Sequence, residues 1–313
     1  MATALVTGGA GFIGSHLARA LEGRGDRVRV LDNFATGRRG NLAGLEQQVE
    51  IVEGDLRRQA DVAKAMDGVE VVFHQGGLTS VPRSIVDPIA THEANATGTL
   101  HVLWAAHRAG ARRVVFASSS SVYGDTPTLP KHEEMPTAPR APYPASKLFG
   151  EQQCRLFAEL YGLETVSLRY FNVFGPRQDP ASEYAAVIPR FIRAMLRGAR
   201  PVIFGDGTQS RDFTYVDNVV AANLLAADAP AGTLRGQACN VACGERATLL
   251  ELVAALNALL GTRLEPTFDP PRPGDVLHSQ ASIARAEQLL GYRPVVHFLD
   301  GLRRTVEWMR AHA

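Results

Sequence analysis

The chain has little cysteine, little aromatic character and almost no charge imbalance. Three cysteines in 313 residues, Cys154, Cys239 and Cys243, fall in no zinc or redox spacing. We expect three reduced thiols, no metal and a cytoplasmic protein. Thirty-three basic residues meet 32 acidic ones, for a formal net charge of +1. No basic tract suggests nucleic acid as a partner. No apolar run approaches the roughly 20 residues of a membrane helix, and the N-terminus lacks the pattern of a signal peptide, so no membrane partner is expected either. Repeats and low-complexity tracts are also missing.

The first half alternates short apolar runs with helical patterns. Thr3–Thr7, Val28–Leu31, Val49–Glu53, Val69–His74, Val114–Ser118 and Thr165–Leu168 read as strands. They are rich in valine and apolar on both faces, the pattern of a parallel sheet covered on both sides by helices. This predicts a doubly wound α/β domain over residues 1–171. After about Asn172 prolines and glycines become frequent, while helical patterns recur at Ala186–Leu196, Val216–Ala227, Thr248–Leu260 and Leu299–Met309. Residues 172–313 are expected to form mainly a smaller, substrate-binding α/β domain, with about 212–228 returning to the first.

The first strand runs into Thr7-Gly8-Gly9-Ala10-Gly11-Phe12-Ile13-Gly14. Glycines at 8, 11 and 14 let the chain turn tightly and bring a helix N-terminus against a pyrophosphate. Asp32 ends the second strand, where a carboxylate accepts hydrogen bonds from an adenosine ribose and repels a 2′-phosphate. NAD is therefore favoured over NADP. Arg38 and Arg39 nearby read most simply as a solvated helix start. Asp55, after the third strand, suits the border of an adenine pocket, a helix N-cap, or both.

Two later segments carry chemistry. Ser118–Gly124 ends the fifth strand, and Tyr143-Pro144-Ala145-Ser146-Lys147 opens a helix. Tyr143 and Lys147 stand one helical turn apart and share a face. Lowering a phenol from its free pKa of about 10 to about 7 takes about 4 kcal/mol of differential stabilisation. A nearby ammonium and a positive nicotinamide ring would supply it. A serine from the neighbouring strand end would pass the proton between substrate and phenolate.

These segments, with Asp32-Asn33, Asp55-Leu56, Arg169–Gly175, Arg211-Asp212-Phe213 and Arg272-Pro273-Gly274-Asp275, resemble the extended short-chain dehydrogenase/reductase family, in its nucleotide-sugar epimerase branch. The resemblance spans nearly the whole chain. It implies a Rossmann sheet, NAD as cofactor, a UDP-sugar as substrate and a homodimer formed through two long helices, here about Pro88–Ala109 and Tyr143–Tyr161. The family's catalytic serine, tyrosine and lysine fall on Ser119, Tyr143 and Lys147. Its cofactor contacts fall on Gly8, Gly11, Phe12, Ile13, Gly14, Asp32, Asn33, Asp55, Leu56, Gly76, Thr79 and Asn95, besides Tyr143 and Lys147.

Its substrate contacts fall on Ser80, Ser119, Ser120, Tyr143 and Asn172, on Val187 and Ile188 at the uridine turn, and on Phe204 against uracil. Arg211 and Arg272 match the diphosphate arginines, whose other reading is a domain-interface salt bridge. Asp275 matches the ribose contact. One departure is plain. The family motif after the fourth strand usually runs closer to Leu-Ala-Ala, and here it is Gln75-Gly76-Gly77.

Dehydratases and decarboxylases of this kind carry an acid just after the catalytic serine or threonine. Ser120 and Ser121 stand there instead, which implies 4-epimerisation through a transient 4-keto sugar. Ser279 holds a position that is bulky or small across the branch. A small residue admits an N-acetyl group at C2, so UDP-GlcNAc and UDP-GalNAc are expected alongside UDP-Glc and UDP-Gal, unless Ser279 serves packing alone. A UDP-glucuronate decarboxylase or epimerase is the rival within the family. A non-catalytic NAD-binding sensor is the rival from outside it.

Overall fold

The structure, a computed structural model, describes residues 2–180, 186–271 and 277–312. Six strands form in order: β1 (Thr3–Thr7), β2 (Arg27–Asp32), β3 (Val49–Glu53), β4 (Val71–His74), β5 (Arg113–Ser119) and β6 (Glu164–Tyr170). A seventh, Gln237–Val241, pairs in parallel with β6. The sheet order is Gln237–Val241, β6, β5, β4, β1, β2, β3, with every neighbour parallel. From β1 the chain adds β2 and β3 on one side and β4 onward on the other, so the winding switches between β1 and β4. Ligands of doubly wound sheets bind at that switch point, beyond the carboxyl ends of the strands.

Alternation along each strand feeds two cores. Ala4 and Val6 of β1, with Val115 and Ala117 of β5, join one cluster that includes Leu17 of the helix Phe12–Gly23 and Val219 of the helix Val216–Asp228. Leu5, Val114 and Phe116 point the other way, against Val102, Cys154 and Phe157. Both faces are dry, so these strands read as near-continuous apolar runs.

A third cluster lies beyond Asn172. Phe174, Phe191, Ile203, Phe213 and Leu252 pack beneath the helices Val187–Leu196, Leu249–Leu260 and Phe298–Ala311. Thr248 and Glu251 form a reciprocal capping box at the start of the second of these.

The stretch expected as one helix from Pro88 to Ala109 is interrupted. Pro88–His92 and Gly98–Arg108 are α-helical, and Glu93–Thr97 between them is a π-helical turn. The wider turn aims the Asn95 amide at the backbone of Leu78, taking its N–H at 2.7 Å and donating to its carbonyl at 2.9 Å. Such bulges re-aim single side chains.

Candidate active site

A cavity of about 710 Å³ opens at the switch point. The turn after β1 forms its floor. Gly8 has φ +65°, and a Cβ there would lie 2.6 Å from the Cα of Gly76. A Cβ on Gly14 would lie 2.2 Å from the carbonyl oxygen of Gly8. Only glycine lets the β1 turn, the β4 end and the first helix close this tightly. The result is a cradle that a side chain would fill, at a helix N-terminus that favours an anion.

Asp32 is buried at the far end. Its two carboxylate oxygens accept N–H bonds from Ala10 at 2.9 Å and Phe34 at 2.8 Å. Burial raises its pKa, and these two bonds pull the other way. Asp55 does not cap a helix. It accepts from the backbone and guanidinium of Arg57 and from the Asn33 amide, and the Arg57 pairing holds its carboxyl well below the usual range. Arg38 and Arg39 stand exposed at the start of the 3₁₀ helix Arg39–Leu42, the expected solvated helix start, and form surface ion pairs with Asp179 and Glu53. A glycine cradle, a ribose-side carboxylate and an open groove between them fit a dinucleotide.

The chemical residues stand on the same cavity. Ser119, Ser120, Tyr143 and Lys147 all line it. Tyr143 is 8% exposed and Lys147 3%. Burial pushes the Tyr143 phenol up, and the facing Ser119 hydroxyl pulls it down. Burial lowers the Lys147 ammonium to about 8. Its Nζ lies 5.0 Å from the centre of the Phe116 ring. One turn further on, Glu151 takes a bidentate pair from Arg169 and a hydrogen bond from Ser118. The catalytic helix is thereby tied to the ends of β5 and β6.

A directed chain of buried hydrogen bonds runs behind the cavity. Gly76 N–H donates to the Thr7 hydroxyl at 3.1 Å, and that oxygen lies 2.7 Å from His74 Nδ1. His74 Nε2 lies 2.9 Å from the Thr99 hydroxyl, which donates to the Asn95 carbonyl at 2.5 Å. Thr99 spends its proton on Asn95, so His74 carries its own on Nε2 and accepts from Thr7 on Nδ1. Asn95 Nδ2 reaches Ser146 Oγ at 3.0 Å, and Ser146 donates to the Tyr143 carbonyl at 2.7 Å. Asn95 is thus a buried brace and does not line the cavity.

Gln75 explains the departure after β4. Its Nε2 donates to the Tyr170 hydroxyl and to Asn223 Oδ1, both at 3.1 Å, and Asn223 Nδ2 donates to Tyr170 at 2.9 Å. This closed polar cluster fastens β4 to β6 and to the helix Val216–Asp228. Burial raises both phenols, but Tyr170 is bonded within this closed cluster, whereas Tyr143 lines the cavity with Ser119 and Lys147.

A second cavity of about 230 Å³ continues from the first at Asn172. Val187, Ile188, Phe204 and Arg211 line it, as does Gln209, which the sequence reading passed over. Arg190 sits 5.4 Å from the Phe204 ring. Ser80 caps the helix Val81–Val86 by accepting from Arg83 N–H, and Arg83 rather than Ser80 reaches the first cavity. Ser279 is buried, with its N–H on the Ser210 carbonyl, and is not among the described residues lining either cavity. Arg272 and Asp275 lie outside the described residues. Arg177 also lines the first cavity, in a left-handed conformation with φ +66°. The run Arg177-Gln178-Asp179-Pro180 resembles the UDP-N-acetylglucosamine 4-epimerase subgroup, but that resemblance assigns no role to the Arg177 side chain.

Fold and site together define a dinucleotide-dependent enzyme of the tyrosine–lysine type. The chain belongs to the NAD dependent epimerase/dehydratase family, which it matches over residues 4–242. It is 40% identical over 314 residues to the UDP-glucose 4-epimerase of Mycolicibacterium smegmatis, covering 98% of each chain. Among solved structures, it resembles the UDP-N-acetylglucosamine 4-epimerase of Methanobrevibacter ruminantium in complex with UDP-N-acetylmuramic acid. That match has a TM-score of 0.95 and 39% identity, over 100% of this chain and 99% of the other. The UDP-glucose 4-epimerase of Thermus thermophilus in complex with NAD aligns with a TM-score of 0.90 at 38% identity, over 99% and 100% of the two chains. Among the described residues, no helix is long and apolar enough to cross a membrane.

Proposed function

We propose that this protein is an NAD-dependent UDP-hexose 4-epimerase. The observation that carries the reading is the residue set around the buried Tyr143: Ser119, Ser120 and Ser121 face the cavity with Lys147, and no carboxylate stands in that segment. Dehydration or decarboxylation needs further acid–base chemistry that serines do not offer.

NAD, held on the glycine cradle and Asp32, supplies a hydride acceptor and donor for C4 when bound. The chain's own residues manage the proton. Tyr143 takes it from the 4-hydroxyl, directly or through Ser119, and returns it after the sugar has offered its other face. Lys147 keeps a positive charge beside the phenolate. Asn172, Phe204 and Arg211 tether the UDP group while the sugar turns, with Val187 and Ile188 at the uridine. Arg272 and Asp275 are assigned to the diphosphate and ribose by resemblance alone.

We extend the proposal to N-acetylated sugars. Support comes from the small side chain of Ser279 and from similarity to the Methanobrevibacter enzyme. Because Ser279 stands behind the wall, its size acts on how closely its segment packs. We further propose a cytoplasmic enzyme, in keeping with three unpaired thiols. A homodimer is proposed on the outer face of the helices Gly98–Arg108 and Pro142–Tyr161. Leu160 there is 69% exposed, beside the partly exposed Trp104 and Tyr161, and Ile89 on the preceding helix Pro88–His92 is 70% exposed. A second copy of the same apolar face suits them best.

The test is incubation of purified protein with UDP-GalNAc, UDP-Gal and UDP-glucuronate, with products resolved by chromatography. Conversion of a neutral sugar to its 4-epimer is the expected result. Turnover of UDP-glucuronate alone would overturn the reading drawn from Ser120 and Ser121, and lack of turnover on N-acetylated sugars would remove that part of the substrate range.

A further inference from the structure

Asn172, Arg211 and Ser279 come from three separate segments that meet at Asp212: it follows Arg211 in the chain, its backbone carbonyl bonds Asn172, and its carboxylate bonds Ala281, two residues beyond Ser279. Asp212 is fully buried. Its carboxylate accepts the N–H groups of Cys243 at 2.9 Å and Gly244 at 3.1 Å, in the turn after Gln237–Val241. It also accepts the N–H of Ala281 at 3.1 Å. Its backbone carbonyl takes the Asn172 amide at 3.2 Å.

Ala281 belongs to an extended strap, residues 277–282, pinned along both edges. On one side Ser210 N–H donates to the Leu277 carbonyl and Ser279 N–H to the Ser210 carbonyl, each at 3.0 Å. On the other, Lys131 N–H donates to the Gln280 carbonyl and Ser282 N–H to the Lys131 carbonyl, each at 2.8 Å. The strap in turn aims Arg211, whose Nη1 donates to the Leu277 carbonyl at 3.1 Å.

A carboxylate this deep costs several kcal/mol of desolvation unless its oxygens are bonded. Here only neutral backbone donors bond it, and no lysine or arginine pairs with it among the described residues. Burial raises its carboxyl to about 6 against the pull of those three N–H groups. A simple cross-link between segments would need no such group. A carboxylate with three directional acceptor contacts fixes three backbones in one register.

We propose that Asp212 is a positioning residue for the diphosphate side of the substrate, holding the strap and the 243–244 turn where Arg211 and Asn172 face the second cavity. This rests on the UDP-sugar reading above. Asp212 touches no ligand itself, and the cofactor cradle lies at the other end of the groove, so UDP binding and NAD binding should separate.

The experiment is Asp212→Asn, which keeps shape but turns one acceptor into a donor. Calorimetric titration with UDP should show affinity reduced about tenfold or more, with NAD content unchanged and kcat at saturation within about threefold. Equal UDP affinity in a folded variant would overturn the inference. Should the variant fail to fold, amide exchange in the unaltered protein decides. UDP should slow exchange at Gly244 and Ala281 together, and unchanged rates there would overturn it. Failure of the unaltered protein to bind UDP at all would instead overturn the substrate reading on which the inference stands.

Discussion

The Ser121 hydroxyl lies 2.8 Å from the Ser119 hydroxyl, and the Ser121 N–H donates to the same Ser119 oxygen at 3.2 Å. The Ser121 N–H holds one lone pair of the Ser119 oxygen, and the Ser121 hydroxyl is a hydrogen-bond neighbour through which the Ser119 proton is oriented. Ser121→Ala should lower kcat about tenfold with KM within about twofold. Ser121→Thr, which keeps the hydroxyl, should restore it. Steady-state kinetics on the three proteins check this, and an alanine variant with undiminished kcat would remove Ser121 from the proton path.

Tyr143→Phe removes the base and leaves the ring. Turnover should fall by about a thousandfold or more while UDP affinity stays within about twofold. Before any ligand binds, burial keeps the Tyr143 phenol protonated beyond its ordinary pKa of about 10. Ultraviolet difference titration against the phenylalanine variant should show that, and a shift downward on adding NAD.

Gln75→Leu restores the family's usual residue type but strands Asn223 and Tyr170 in a buried site. The loss should be about 1–3 kcal/mol in urea unfolding. A variant as stable as the parent would mean that the cluster contributes nothing net.

Acid should weaken the fold through its buried histidines. Burial first, then Lys147, lowers His74 to about 3, and burial lowers His16 to about 4, from 6.5. The unfolded chain therefore takes up these protons before the folded one. The stability involved is fully present above pH 6.5 and drains away as pH falls toward 4 and 3, at about 1.4 kcal/mol per pH unit for each histidine. Melting temperature should drop over that window, and less steeply in His74→Gln. An unchanged slope in that variant would exclude His74 as the cause.

Leu160→Glu places a charge on the proposed dimer face. Sedimentation should show a dimer for the parent and a monomer for the variant. A parent that sediments as a monomer would remove the dimer from the proposal.

Much of this site is visible in the chain because local rules govern it. The glycine turn, Asp32 at a strand end and the Tyr143–Lys147 spacing each need only a strand, a tight turn or one helical turn. Asp55 had two local readings, and the structure keeps it on the cavity but drops the helix cap: a cap and an Asx turn look alike until Arg57 and Asn33 are seen to claim the carboxylate. Asn95, expected among the cofactor contacts, sits in a π-helical turn and spends its amide on Leu78 and Ser146 instead. That turn has no reliable signature in residue order.

The sequence by itself determined the parallel sheet, the tight glycine turn and the shared face of Tyr143 and Lys147, since apolar periodicity, glycine sterics and helix pitch act over a few residues. Tertiary structure alone decided which groups those residues lean on. Gln75 meets Tyr170 and Asn223, His74 acquires one tautomer, and Asp212 gathers Cys243, Gly244 and Ala281, all across long separations in the chain. Buried polar groups must find partners wherever the folded backbone brings them, and no local pattern records where that will be.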